Sequence, residues 1–218
     1  MNPERFESGH DRKRIHTTWE REVLPYVADE EMAAAVFDVT LVTYSDEDRY
    51  YHNLSHIASC VDMLDPYRGR EDYQKLFLAL LWHDVVYDTA RTDNEELSAE
   101  KAVTFMDGLG LDGAEDVSRM IISTKEHATD VEDEQLVCAI DMSILAEPFP
   151  IYLAYTKGIR EEYRKVAPID SEFYDGRLTF LNRLSRKQVI FQHPDFVHLN
   201  GVADMNVRHE KALLASKL

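Results

Sequence analysis

Residues 76–84 read LFLALLWHD, so seven consecutive apolar residues lead directly into a histidine and an aspartate. The apolar run is far shorter than the roughly 20 residues that a helix needs to cross a bilayer. The pattern predicts a helix that buries both His83 and Asp84. Because a buried carboxylate without a partner is costly, Asp84 is expected to have one, and a metal ion is a suitable partner.

Helical periodicity extends outward from this run through nearly the whole chain. The predicted helices are residues 14–26, 30–44, 53–64, 71–88, 94–109, 113–127, 133–145, 150–166, 171–184 and 196–214. No two segments alternate as paired strands, and no repeat or Pro/Gly/Ser-rich linker interrupts the pattern. We therefore predict an all-α helical bundle that forms a single domain over residues 1–218, with the C-terminal helices, residues 171–218, packed on the rest.

The composition restricts the classes of function. The chain has 218 residues, of which 44% are hydrophobic, and a formal net charge of -17. Such a charge repels phosphate backbones and argues against binding to a nucleic-acid polymer. A small phosphorylated substrate is compatible with it if a metal and a few cationic side chains reverse the local field.

The cysteines and the N-terminal sequence indicate in which cellular compartment the protein is expected. Cys60 and Cys138 lie in apolar helical patterns and indicate buried small residues rather than a disulfide framework. The charged N-terminus has no apolar core of the kind found in a signal peptide. We expect a soluble cytoplasmic protein with no membrane partner, and the sequence does not predict its oligomeric state.

Two further segments supply possible metal ligands. Residues 51–56 read YHNLSH, and if one helix holds both His52 and His56, their Cβ atoms are about 5–6 Å apart on one face. Asp141 follows another apolar run. Both histidines can bind one metal, or one can bind while the other acts as an acid or base. Taken singly, each residue is more often a hydrogen-bonded core residue, but jointly with the His-Asp pair they favour a metal site in a bundle core.

These segments resemble the HD-domain superfamily of metal-dependent phosphohydrolases, which is named for a His…His-Asp…Asp signature. The matching stretches are residues 49–57, 82–88, 94–99, 141–145 and 152–163. The resemblance runs from residue 19 to about residue 164 and implies an HD-type bundle with its metal-site core at about residues 49–164.

The resemblance implies roles for individual residues. His56, His83, Asp84 and Asp141 would hold one divalent transition metal, whether Mn, Fe, Co, Ni or Zn, for which imidazole and carboxylate donors are suitable. His52 would lie beside the metal and donate a proton to the leaving oxygen, as the first histidine of a similar segment does in cyclic-nucleotide phosphodiesterases.

Either Asp84 or Asp88 would orient or deprotonate the attacking water. Related enzymes that hydrolyse the 3′-diphosphate of guanosine alarmones carry Glu-Asp where this chain has Tyr87-Asp88, which counts against that substrate. A second metal would need more histidines, and His127 is the remaining candidate, although an ordinary histidine at a helix end is the favoured interpretation.

The substrate's charge requires partners, for which Arg160 and Lys125 are candidates, while Tyr163 can line the cleft. Arg160 can equally form an ion pair with a nearby acid, and aromatic residues at helical spacing are more often part of the core. Glu95 either supports a metal ligand or is an acid at the start of a helix, and we favour the latter.

The predicted function is a metal-dependent phosphohydrolase acting on a small phosphate mono- or diester, such as a nucleotide. One alternative is a di-iron oxygenase of the HD type, which would need additional histidine ligands. Another is a non-catalytic regulatory domain that binds a metal or a nucleotide and uses the metal for structure, in which case the coordination would be closed.

Overall fold

The computed structural model describes residues 9–187 and 189–217. Residues 1–8, which begin the charged N-terminal segment, lie outside the described residues. In the described part the chain forms ten α-helices and no strand, which confirms the all-α prediction. The helices are α1 Gly9–Glu22, α2 Glu30–Tyr44, α3 Leu54–Leu64, α4 Tyr73–Trp82, α5 Asn94–Leu109, α6 Ala114–Ser123, α7 Glu132–Asp141, α8 Phe149–Glu162, α9 Asp170–Arg186 and α10 Asn200–Ala215.

The chain divides into two compact units, Met1–Glu126 and His127–Leu218. The first unit contains α1 to α6, and the second contains α7 to α10. The single-domain organisation and the HD type of bundle stay predictions.

Helix α4 forms the centre of the first unit. Every residue from 76 to 82 is fully buried, and α4 packs against α3, α5 and α6. The Trp82 ring lies 6.2 Å from that of Trp19 and 5.4 Å from that of Phe105, and its Nε1 donates a hydrogen bond to Thr40 Oγ1 at 3.1 Å. A helix that is apolar on all sides is stable in water only when other helices surround it, and here they do.

The end of α4 differs from the prediction. The sequence pattern placed His83 and Asp84 inside a helix over residues 71–88, which is wrong, because α4 ends at Trp82 and the pair lies just beyond it. Side chains satisfy carbonyl groups around this end. Tyr44 Oη donates to the carbonyl of Leu81 at 2.9 Å, and Arg49 Nη1 donates to the carbonyl of Asp84 at 2.7 Å. These bonds replace main-chain helical bonds, so the chain can turn away.

The second unit is built around buried polar groups as well as apolar ones. Helix α10 packs against α9 and against the 3₁₀ segment Met142–Ala146. Arg177 Nε donates to Glu210 Oε1 at 2.8 Å, and the Tyr152 hydroxyl donates to the same carboxylate. Because all three side chains are buried and bonded to one another, their polar atoms are compensated inside the unit.

A helix that crosses a membrane has to be long and apolar. No single helix within residues 9–187 and 189–217 is long and apolar enough to cross a membrane. One bent pair, Glu132–Ala146 with Phe149–Glu162 at 106°, meets the requirement by length and composition alone.

Candidate metal centre

Three of the four predicted metal ligands come together in the first unit. His56 Nε2 lies 3.2 Å from His83 Nε2, and Asp84 Oδ2 lies 3.1 Å from His83 Nε2. One donor atom of each residue lies within 4.8 Å of the other two. The two imidazoles are buried, and the Asp84 side chain is 16% exposed. The group is therefore buried on the imidazole side and accessible at its carboxylate.

The start of α3 fixes His56. Asn53 is the N-cap residue, and its Oδ1 accepts hydrogen bonds from the backbone N–H of Ser55 at 2.9 Å and of His56 at 3.4 Å. An N-cap residue satisfies N–H groups that have no partner within the helix. His56 thus lies in the first turn of α3, and His52 precedes the cap. The interpretation that one helix holds both histidines is therefore wrong.

A backbone carbonyl fixes the orientation of His83. Its Nδ1 lies 2.8 Å from the carbonyl oxygen of Leu80. Because a carbonyl can only accept, Nδ1 carries the proton, and a neutral His83 presents its lone pair at Nε2. That lone pair faces a carboxylate oxygen and a second imidazole nitrogen. A lone pair and a carboxylate oxygen that face each other at 3.1 Å need a cation or a proton between them.

The spacing of the donors fits a transition metal. With metal–ligand bonds of about 2.1 Å, two donors are about 3.0 Å apart at a right angle and about 3.4 Å apart at a tetrahedral angle. The observed separations from His83 Nε2, 3.2 Å to His56 Nε2 and 3.1 Å to Asp84 Oδ2, lie between these values. The mixed nitrogen and oxygen set suits Mn²⁺, Fe²⁺, Co²⁺, Ni²⁺ or Zn²⁺. The residues therefore fit the predicted ion.

His52 lies beside this group and is not one of its three donors. Its ring centre is 4.2 Å from that of Tyr87, 4.9 Å from that of Tyr51 and 6.0 Å from that of His56. Arg49 Nη1 donates to the carbonyl of His52 at 3.0 Å. The sequence interpretation did not assign roles to Arg49 and Tyr87, because nothing in their spacing shows that they contact this histidine.

Asp88 is exposed, and it shapes the turn that leads into α5. Its Oδ1 accepts from the backbone N–H of Ala90 at 2.9 Å. The side chain of Asn94 bonds to both the N–H and the carbonyl of Asp88, at 3.0 and 2.9 Å. These contacts support a role in the turn, and the catalytic role assigned to Asp88 stays a prediction.

The fourth predicted ligand, Asp141, belongs to the second unit and is the last residue of α7. Its Oδ2 lies 2.8 Å from Nε2 of His127, so these two candidates from the later part of the sequence contact each other. His127 has a φ of 47°, a left-handed conformation that is uncommon for a residue other than glycine. Coordination by Asp141, and a second metal at His127, stay predictions.

Two of the predicted substrate-binding residues also belong to the second unit. Arg160 Nη2 lies 2.7 Å from Asp170 Oδ1, its Nη1 donates to the carbonyl of Ala167 at 3.1 Å, and its Cζ lies 5.0 Å from the Phe173 ring centre. Tyr163 packs against the same Phe173, with ring centres 6.1 Å apart. The contacts of Arg160 are those of its alternative interpretation, an ion pair, and binding of substrate by either residue stays a prediction.

The third predicted substrate-binding residue, Lys125, lies in the first unit. Its Nζ is 2.5 Å from Glu96 Oε1 and 2.6 Å from the carbonyl of Thr92. This contact raises the pKa of Lys125 and lowers that of Glu96. Burial raises the pKa of the neighbouring Glu95, which also feels the charges of Lys125 and Asp84. Of Lys125 and Glu95, Glu95 is the one whose pKa responds to the charge of a donor residue, Asp84.

Substitutions of Glu95 and Glu96 are expected to change the free energy of unfolding in opposite directions at neutral pH. Glu95 has a raised pKa, so its charge destabilises the fold at neutral pH, and Glu95→Gln should be more stable than the wild type there. The pKa of a glutamate in an unfolded chain is about 4.3. The gain in stability should therefore decrease as the pH falls through the higher pKa of Glu95 in the folded protein, and it should be absent at about pH 4.3 and below. Glu96 has a lowered pKa, so Glu96→Gln should be less stable at neutral pH. That loss should vanish as the pH falls below about 4.3 through the folded-state pKa.

Urea unfolding of both variants in the presence of a chelator measures these differences across acidic and neutral pH. Each variant serves as the control for the other, since both remove one carboxylate from the first turn of α5. Differences of the same sign for the two variants at neutral pH would contradict the expected result.

Comparison with protein-family models, with curated proteins and with solved structures finds no match to this chain. Membership of the HD-domain superfamily therefore stays a prediction that rests on the motif residues.

Proposed function

We propose that this chain is a metal-dependent phosphohydrolase that acts on a small phosphate mono- or diester, such as a nucleotide. The observation that carries the proposal is the convergence of His56 Nε2, His83 Nε2 and Asp84 Oδ2, with separations of 3.2 and 3.1 Å from the central nitrogen. A buried His83 whose other nitrogen is bonded to a carbonyl is oriented as metal-binding histidines usually are.

In the proposal, His56, His83 and Asp84 would hold one divalent transition metal. A bound metal of this kind lowers the pKa of a coordinated water and offsets charge on a phosphoryl oxygen. The buried imidazoles hold their donor atoms in place, while the partly exposed Asp84 leaves the group accessible from one side.

His52 supplies the proton that the leaving oxygen needs. Imidazole changes protonation near neutral pH, so it can hold a proton and release it in the same cycle. Its ring contacts those of Tyr51 and Tyr87 and lies next to His56, which limits the orientations it can adopt. A positioned acid beside the donor group, and outside the ligand set, is the arrangement that this role requires.

Lys125 is the candidate cation of the first unit for the substrate's negative charge. Its ammonium group is paired with Glu96, and its charge lowers the pKa of Glu95, which also responds to Asp84. An anionic substrate must overcome the net charge of -17, so a local cation and the metal together have to favour its approach.

Metal analysis of the purified full chain, combined with hydrolysis assays on a panel of phosphate mono- and diesters, tests the proposal. About one transition metal per chain is expected for a single site of this size. Hydrolysis should stop after chelation and return when the metal is restored. The released product identifies whether the substrate is a monoester or a diester.

The other outcomes of this experiment each exclude the proposal. Two irons per chain without hydrolysis would favour an oxygenase. A tightly held metal with no turnover on any ester would favour a structural metal in a regulatory domain. Absence of metal after reconstitution would mean that the three side chains serve only the packing of the core.

A further inference from the structure

Arg49 lies between the segment that carries His52 and the segment that carries Asp84, both in the first unit. Its Nη1 donates to the carbonyl of His52 at 3.0 Å and to the carbonyl of Asp84 at 2.7 Å. Its Nη2 donates to the carbonyl of Val85 at 3.4 Å. One guanidinium therefore joins the chain at the proposed proton donor to the chain at one of the three converging donors.

The guanidinium of Arg49 is a buried cation without a carboxylate partner. Arg49 is 6% exposed, and it forms no ion pair with any of the residues that the structure describes. Buried arginines are usually paired with an acid. Here three carbonyl oxygens and two aromatic rings contact the charge, with Cζ 4.9 Å from the ring centre of Tyr44 and 5.4 Å from that of Tyr87. A planar guanidinium that is bonded to three backbone groups has little freedom to move, and it restricts those groups in turn.

Tyr87 connects Arg49 to the ring of His52. The Tyr87 ring centre lies 5.4 Å from Cζ of Arg49 and 4.2 Å from the ring centre of His52, with 30° between the two ring planes. Arg49 thus contacts His52 directly at its carbonyl and indirectly through this tyrosine. A displaced guanidinium would move both the backbone of His52 and the aromatic ring against which its imidazole lies.

We propose that Arg49 is a positioning residue that holds His52 in a fixed place beside the three-donor group. The role of His52 as an acid rests on the proposed function, whereas its position does not. Lysine is not equivalent to arginine here, because the guanidinium is a fork that reaches several carbonyls at once and the ammonium group is a compact point charge. Arg49→Lys should therefore keep the buried charge and release the segment that carries His52.

Proton NMR of the full chain, without metal and in the presence of a chelator, tests the position of His52. The ring current of Tyr87 shifts the signals of imidazole protons held next to it, and His52→Gln identifies these signals by their loss. At alkaline pH, where imidazole is neutral, the signals in Arg49→Lys should move toward those of an unstructured histidine. Arg12→Lys should leave them unchanged. It is the matched control, because it makes the same change where the side chain is 62% exposed and pairs with Asp38.

A measurement on the wild type tests the inference even if Arg49→Lys does not fold. The indole N–H signals of the two tryptophans report whether the core of the variant is intact. In the wild type, the Nη protons of Arg49 should give separate signals with cross-peaks to the rings of Tyr44 and Tyr87, because bonds to carbonyls stop the guanidinium from rotating. Averaged Nη signals in the wild type, or unchanged His52 signals in a folded Arg49→Lys, would overturn the inference.

Hydrolysis assays test whether the position of His52 affects turnover. A shift of about 1 Å can lower a rate by about 10²-fold, so Arg49→Lys should lower kcat per bound metal by about this factor on an alkyl phosphate ester. The loss should shrink on a nitrophenyl ester, whose leaving group needs little protonation. Arg49→Lys combined with His52→Gln should be no slower than His52→Gln alone, because both changes then remove the same contribution. Equal losses on the two esters, together with a further loss in the double variant, would indicate a structural role and overturn the inference.

The two kinds of measurement separate this role of Arg49 from the proposed hydrolysis. If the wild type hydrolyses no ester, the proposed function fails, and the NMR signals still decide whether Arg49 positions His52. If the wild type hydrolyses esters but the His52 signals are the same in Arg49→Lys, the proposed function stands and the positioning role fails.

Discussion

His52→Gln is expected to lower the turnover of a phosphate ester by about 10²–10⁴-fold, the usual contribution of a positioned general acid. Its metal content should stay at the wild-type level, because His52 is not among the three converging donors. Glutamine keeps a polar side chain of similar length but cannot release a proton at neutral pH. Steady-state kinetics and metal analysis on the same sample measure both quantities.

Asp84→Asn is expected to behave differently from His52→Gln, because Asp84 is one of the three donors. It replaces an anionic donor 3.1 Å from His83 Nε2 with a neutral amide, so both the metal content and the turnover should fall. Asp107→Asn is the matched control, because it makes the same chemical change at an exposed position on α5. The control should keep both properties of the wild type.

The leaving group provides a second test of the role of His52. An ester whose leaving group is stable as an anion, such as a nitrophenolate, needs little protonation, so the defect of His52→Gln should shrink on that substrate. Full activity of His52→Gln on an alkyl ester would exclude the role of proton donor. Loss of metal in this variant would instead indicate that His52 is a ligand.

Much of the fold follows from local signals in the sequence. The predicted bounds of α2 and α5 agree with the structure, because their ends are marked by specific residues. Asp29 caps α2 by accepting from the N–H of Met32 at 2.9 Å. Gly110 ends α5 with a φ of 69°, a conformation that glycine adopts without strain. Signals of this kind act within a few residues, so they can be read from a single sequence.

The end of α4 could not be predicted in the same way. The apolar pattern continues past Trp82, and what ends the helix is a set of bonds from Tyr44 and Arg49, which are distant in sequence. Tertiary contacts of this kind have no local signature. The same reason explains why the sequence left open whether Arg160 pairs with an acid, since Asp170 reaches it only across the turn that follows α8.

The three residues of the donor group could be predicted from the sequence, but their orientation could not. His83 and Asp84 could be selected because the pair follows an apolar run, and His56 because the segment YHNLSH resembles the HD-domain motif. The features that orient them could not, because the partner of His83 Nδ1 is a backbone carbonyl and any residue at position 80 supplies one. Residue types therefore indicate which chemistry is possible, and the geometry indicates which atoms are available for it.

Glu210→Leu is expected to lower the free energy of unfolding by about 3–5 kcal/mol, the usual cost of removing one partner of a buried ion pair. Arg177 and Glu210 are each 6% exposed at the side chain, with Nε and Oε1 2.8 Å apart. Burial and the nearby Glu210 raise the pKa of Tyr152, so its hydroxyl stays protonated and donates to the same carboxylate. Loss of Glu210 thus leaves two buried polar groups without their acceptor.

Denaturant unfolding of matched variants separates this cost from the loss of a surface charge. Asp204→Asn is the control, because Asp204 pairs with Arg208 on the same helix and its side chain is 46% exposed, so its loss should cost at most about 1 kcal/mol. Arg177→Met combined with Glu210→Leu should recover much of the stability, since no unpaired charge then remains buried. If Glu210→Leu costs no more than Asp204→Asn, or the double variant is as unstable as the single one, burial of an unpaired guanidinium is not what destabilises the second unit.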